Sequence, residues 1–226
     1  MSPIRAIFLT VIEALFPTPT AEREVISMGA FEAWKSLPRA KNFPISDACS
    51  IFAYKNEMVW RLIWAIKYKK SRPAATIAAH ALFRILRTYA SVAPSLVIIP
   101  MPITRKRRRE RGYNQCELIL EEIEKLETRE PSIGGLDNRM KFVRDLLIRP
   151  HHKSRQTLKD RAERIESAED IFMVDKKVLE RFGQPTKDSL VIIIDDVVTT
   201  GSTIRNAVQT LRRVGFANVF GLSVAH

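Results

Sequence analysis

Val191-Ile192-Ile193-Ile194-Asp195-Asp196-Val197-Val198-Thr199-Thr200-Gly201-Ser202-Thr203, running on into Ile204 to Val214, decides how the rest of the chain is read. Its opening run of β-branched residues is the composition of a strand buried on both faces, as in a parallel sheet covered by helices. In such sheets ligands bind beyond the carboxyl ends of the strands, and this strand ends on two adjacent carboxylates. The hydroxylated residues that follow surround Gly201 at the expected start of a helix, where the first amides lack partners and the dipole is positive. These groups form a phosphate cradle, and Gly201 lets the backbone approach closely. Carboxylates repel phosphate but accept charge-assisted hydrogen bonds from sugar hydroxyls. The ligand implied is a sugar phosphate. A plain helix cap after a strand end would use the same residue types; the contiguous order of apolar run, acid pair and cradle favours the site.

This string resembles the signature of type I phosphoribosyltransferases, which bind 5-phosphoribosyl 1-diphosphate (PRPP). The resemblance implies that Asp195 and Asp196 hold the ribose hydroxyls while Thr199, Thr200, Gly201, Ser202 and Thr203 hold the 5-phosphate. It also implies Mg2+ bound with PRPP, and attack on C1 of the ribose as pyrophosphate leaves.

The 226 residues, 46% of them hydrophobic, suffice for one substantial core with a small appended subdomain. A net charge of +12 and a pI near 10.0 imply a surface that attracts polyanions: nucleic acid, anionic lipid or a polyphosphate substrate. Cys49 and Cys116 are the only two cysteines and lie far apart, which excludes a disulfide framework and a Cys-x-x-Cys zinc site. A reducing cytoplasm is the simplest compartment. Ile4 to Leu15 has the spacing of an amphipathic helix, is too short to span a bilayer and lacks a cleavage site, so no export signal and no membrane span are expected. No P-loop and no dinucleotide fingerprint occurs among the eight glycines.

From Thr18 to Ser50 the pattern is irregular. Ser50 to Tyr54 reads as a short strand, and Met58 to Tyr68 as a helix with Val59, Leu62, Ile63 and Ile66 on one face and Trp60 and Trp64 four apart. Lys67, Lys69, Lys70 and Arg72 follow, a placement the helix dipole explains by itself. Pro73 opens a helix over Ala74 to Tyr89. Leu96 to Ile99 is a second buried strand, and Arg105 to Gln115 after it is the densest basic stretch. Arg105, Arg107, Arg108 and Arg111 are candidates for a pyrophosphate or for single-stranded nucleic acid. Glu117 to Leu126 reads as a helix, Lys141 to Ile148 as a strand, Thr157 to Ser167 as a helix, and Ile171 to Val174 and Val219 to Ala225 as strands. His151 and His152, adjacent and without an acid or cysteine nearby, are surface residues rather than metal ligands. The alternation gives an α/β fold, a parallel sheet of about five strands with helices on both faces. Strand order is not legible.

Ile99-Pro100-Met101-Pro102-Ile103 with Arg105-Lys106-Arg107-Arg108-Arg109-Glu110-Arg111-Gly112-Tyr113-Asn114-Gln115 is similar to the proline-flanked strand and Arg-Gly-Phe-Asn-Gln motif of the ComF (GntX-like) family of phosphoribosyltransferase-like proteins. Tyr113 stands where that family usually has phenylalanine. Tyr54, Leu62 to Tyr68, and Gln156, Arg164 and Phe172 also match in spacing, while Ser167 replaces the usual asparagine. The resemblance covers residues 51–226 as a type I phosphoribosyltransferase-like domain and implies a mobile flap with Lys153, Arg155 and Gln156 over the site. Relatives begin with a four-cysteine zinc module; here residues 1–50 keep its Leu15-Phe16-Pro17 lead-in without the cysteines, so a small, metal-free N-terminal subdomain or hood is expected and zinc is not. The family's association with DNA uptake during competence implies single-stranded DNA and competence proteins as partners. Three readings stay open: a ribosyl 5-phosphate transferase, a non-catalytic PRPP-sensing or single-stranded-DNA-binding protein, and a purely structural partner in a DNA-uptake complex. The acceptor is not legible.

Overall fold

The computed structural model describes residues 20–41, 46–129, 140–150, 171–182 and 188–226. Within these, the chain runs α1 (Thr20–Ser36), β1 (Ala48–Phe52), α2 (Glu57–Trp64), a π-helical turn (Ala65–Lys69), α3 (Arg72–Val92), β2 (Ser95–Pro100), α4 (Arg105–Arg111), α5 (Gln115–Arg129), β3 (Met140–Phe142), β4 (Leu147–Ile148), β5 (Met173–Val174), α6 (Lys176–Phe182), β6 (Ser189–Val197), α7 (Ser202–Arg213) and β7 (Asn218–Ala225). Five strands form one parallel sheet in the order β1-β7-β6-β2-β3. β4 and β5 make a separate antiparallel ribbon.

Period-two alternation along β2 and β6 divides the core into two layers. Leu96, Ile98, Ile192 and Ile194 face α1, α2, α3 and α5. Val97, Ile99, Val191 and Ile193 face α7 and the β4–β5 ribbon through Ile204, Val208, Leu211, Leu147 and Phe172. Burial on both sides is what the unbroken apolar run of β6 predicts. From β2 the chain moves outward to β3, and from β6 it moves the other way to β7. The strand order therefore reverses between β2 and β6, and the crevice at their carboxyl ends is a topological switch point.

Three expectations are corrected. Residues 18–50 are not irregular throughout: α1 packs Val25 and Ala33 into the same core as α3, with a kink where Gly29 takes φ 73°. Lys141 to Ile148 is not one strand. It splits into β3, which pairs with β2, and β4, which pairs with β5, because the polar pair Arg144 and Asp145 interrupts it. The helix expected through Tyr68 gives way to the π-helical turn at Ala65. The expected helices at 4–15 and 157–167, and His151 and His152, lie outside the described residues.

Candidate functional site at the β2–β6 switch point

β6 extends through the acid pair, so alternation sends its two carboxylates to opposite layers. Asp195, 8% exposed, lies on the side of Val191 and Ile193, where its Oδ1 accepts the Asp196 amide at 2.9 Å and the thiol of buried Cys116 at 3.6 Å. Asp196, 4% exposed, lies on the other side, where its Oδ1 accepts the Val197 amide at 2.9 Å and its Oδ2 pairs with Lys67 Nζ at 2.8 Å. Burial, and then the neighbouring charge of Asp196, push the Asp195 carboxyl well above its ordinary range. Burial works against the Lys67 ammonium, but the charge and hydrogen bond of Asp196, with Tyr54 and Asp195 behind them, outweigh it and hold its pKa above the usual lysine value. The Cys116 thiol is raised by burial and by both aspartates, which keeps it protonated as a donor.

Lys67 and Cys116 are the residues that sequence reasoning missed. The first was legible as one of several cations at a helix end and as part of the Leu62 to Tyr68 stretch that resembles the family's, without a role in the site, and the second as an isolated cysteine. Asn114 sets the position of Cys116: its Oδ1 accepts the Cys116 amide at 2.9 Å while its Nδ2 donates to the Met101 carbonyl at 3.0 Å, tying the start of α5 to the end of β2. The Cys116 Sγ and carboxylate oxygens of Asp195 and Asp196 lie within 4.8 Å of one another, close enough to share a metal ion. The cation beside them here is the Lys67 ammonium.

Thr199 and Thr200 are exposed, Gly201 is buried in the left-handed conformation at φ 74°, and Ser202 and Thr203 open α7. Its N-terminus has no side-chain cap from Gly201. One long contact, 3.5 Å from the Ser202 amide to Thr200 Oγ1, comes from the residue before. The base of this loop is pinned to β7 by the Val198 amide on the Ala225 carbonyl at 3.0 Å and by His226 Nδ1 against the Val198 carbonyl at 2.9 Å. Free amides, hydroxyls and a dipole end thus stand three to seven residues beyond the acid pair, an arrangement suited to an anion.

The basic stretch is helix α4, capped by Thr104 at one end and by Gly112 at φ 79° at the other. Arg105 and Arg107 are exposed and make no ion pair among the described residues, whereas Arg108 pairs with Glu117 and Arg111 donates to Gln115 at 2.8 Å. Arg149, a residue the sequence did not single out, lies over the ring of buried Phe172 at 5.3 Å. Burial and then the charge of Arg107 lower its pKa, against the pull of Asp195, so these three charges sense one another. Lys153, Arg155 and Gln156 lie outside the described residues. No helix among the described residues is long and apolar enough to cross a membrane.

A parallel five-stranded sheet with helices on both faces, and an acid pair and anion cradle at its switch point, define the type I phosphoribosyltransferase-like fold. No family model matches the chain. It is 28% identical over 193 residues to Competence protein F of Haemophilus influenzae, covering 82% of this chain and 76% of that one. It is 30% identical over 188 residues to Competence protein ComFC of Bacillus subtilis, covering 82% of this chain and 66% of that one. The chain belongs to the ComF family.

Proposed function

We propose that this protein binds PRPP at the carboxyl end of β6 and transfers its ribosyl 5-phosphate group to an acceptor, with release of pyrophosphate. The observation that carries the reading is the join of a buried acid pair, Asp195 and Asp196, to the uncapped start of α7. Asp195 and Asp196 hold and orient the ribose and favour the positive charge that develops at C1 as the diphosphate departs. Thr199, Thr200, Gly201, Ser202 and Thr203 anchor the 5-phosphate. Arg105, Arg107, Arg108 and Arg111, joined by Arg149, stabilise the leaving pyrophosphate, and Lys153, Arg155 and Gln156 belong to the flap that excludes water. Hard carboxylate oxygens suit Mg2+, and Asp195 is the carboxylate not already paired with Lys67; the ion, when bound with PRPP, neutralises diphosphate charge. The two relatives are competence proteins, and we carry that role to this chain as a place in DNA uptake.

Calorimetric titration with PRPP and Mg2+, beside Asp195→Asn/Asp196→Asn and with ribose 5-phosphate as control, tests the site. Saturable binding that the double variant loses supports it. No heat and no thermal shift, at ligand concentrations that add about 2 kcal/mol or more of stability for a micromolar site, rejects it.

A second reading, single-stranded DNA, draws on one further observation. Trp60 and Trp64 stack at 6.4 Å, Trp64 and Tyr68 approach to 5.8 Å, and Arg61, Lys69 and Arg111 lie over these three rings at 5.9, 5.1 and 5.3 Å. Rings interleaved with cations are a platform for unpaired bases and phosphates. Binding that weakens steeply with salt, and that Trp64→Ala reduces while Asp195→Asn does not, favours this reading.

A further inference from the structure

We propose that Tyr113 is a positioning residue for the candidate site: its hydroxyl holds the π-helical turn in the register that brings Lys67 onto Asp196. A π-helical turn spreads its residues more widely than an α-helix and displaces backbone groups from their usual partners. At Ala65–Lys69 the amides of Lys70 and Ser71 both return to the Ala65 carbonyl, the second at 3.2 Å. Tyr113, 8% exposed, reaches this turn from the α4–α5 connection. Its hydroxyl donates to the Ile66 carbonyl and accepts the Lys70 amide at 3.1 Å. Lys70 itself stands at φ 55°, a left-handed conformation that a side-chain-bearing residue adopts only when held there, and its Nζ lies 5.4 Å over the Tyr113 ring. One side chain therefore grips the turn on both sides of Lys67.

The hydroxyl is the specific feature. Phenylalanine, the residue the ComF resemblance leads one to expect at 113, supplies the same packing in the core but neither hydrogen bond. Without those bonds the buried Ile66 carbonyl loses its donor, and relaxation of the turn towards α-helical register re-aims every side chain after Ala65, Lys67 included. Lys67 has an ion pair of 2.8 Å to lose, with its own side chain 19% exposed and that of Asp196 6% exposed.

Tyr113→Phe tests this in ligand-free protein, so the result stands apart from whether the site takes PRPP. With 13C at the lysine Cε positions, the Lys67 signal is identified by its loss in Lys67→Arg. Tyr113→Phe is expected to move that signal in the direction that Asp196→Asn moves it, and to add nothing in the double variant, because both changes act on one contact. Exchange of the Lys70 amide is expected to rise about tenfold with the α7 amides unchanged. An unmoved Lys67 signal, shifts that add in the double variant, or loss of the native fold in Tyr113→Phe would each overturn the proposal. The last would make the hydroxyl a general support of the core.

Discussion

Asp195 and Asp196, consecutive along β6, face opposite layers of the protein, the first meeting the Cys116 thiol at 3.6 Å and the second the Lys67 ammonium at 2.8 Å. The two carboxylates that read as a matched pair in the sequence are therefore unequal in chemistry.

Asp196→Asn leaves the largely buried Lys67 ammonium without its counter-charge. A loss of roughly 1–3 kcal/mol is expected in urea unfolding at neutral pH. The sign follows from Lys67: its pKa is raised in the folded state, so its stabilisation is complete below the ordinary value of 10.5 and disappears only as pH rises through the higher folded value. The gap between wild type and variant should hold across neutral pH and close in strong alkali.

Asp195→Asn should do the reverse. Asparagine can keep Oδ1 as the acceptor for the Asp196 amide and Cys116, while removing a buried charge whose pKa is pushed up. Below the ordinary value of 3.8 the carboxyl is protonated in both states and contributes nothing. As pH rises from there, the unfolded chain ionises first and the folded wild type loses relative stability until its own pKa is passed. The variant should gain about 1–2 kcal/mol at neutral pH and nothing in acid, read from urea midpoints across the range.

Gly221 on β7 admits the first turn of α7. A Cβ there would stand 2.2 Å from Cδ1 and 2.4 Å from Cγ1 of Ile204, a side chain 1% exposed. Gly221→Ala should cost about 1–3 kcal/mol and push α7 outward, which a lowered melting temperature would report.

The two thiols should differ in reactivity. Burial raises both thiols, but Cys49 is exposed at the surface whereas Cys116 is buried beside two carboxylates that raise it further. A thiol reagent at neutral pH should label one cysteine in native protein and the second only at the rate of unfolding; peptide mapping identifies which.

How much of this was legible follows from which signals are local. The β6 run, the acid pair and the cradle are contiguous, and period-two alternation is read directly from neighbours, so the central strand and its site edge were visible. Lys67 was not, because a lysine at a helix end satisfies the dipole without any partner, and the partner lies 129 positions away. The π-helical turn leaves no compositional mark. It depends on Tyr113, which is distant in sequence. Helix α1 was hidden by Gly29 within it and by a weak apolar stripe, and its existence depends on packing against α3. Cys116 was set aside on cysteine spacing, a criterion suited to zinc and blind to a lone thiol aimed at a carboxylate.

The strand order also has a consequence for how the protein is made. Among the described residues β1 joins the sheet only through β7, and β2 joins the rest of it through β6, so the chain made before Ser189 carries two strands of the sheet that do not pair with each other. The strands that bridge them, Ser189–Val197 and Asn218–Ala225, are synthesised after both. Until then the nascent chain holds unpaired strand edges flanked by apolar helices, a state open to association with other chains. Ribosome-bound chains stalled at successive lengths should gain protease resistance in a single step once β7 has cleared the exit tunnel.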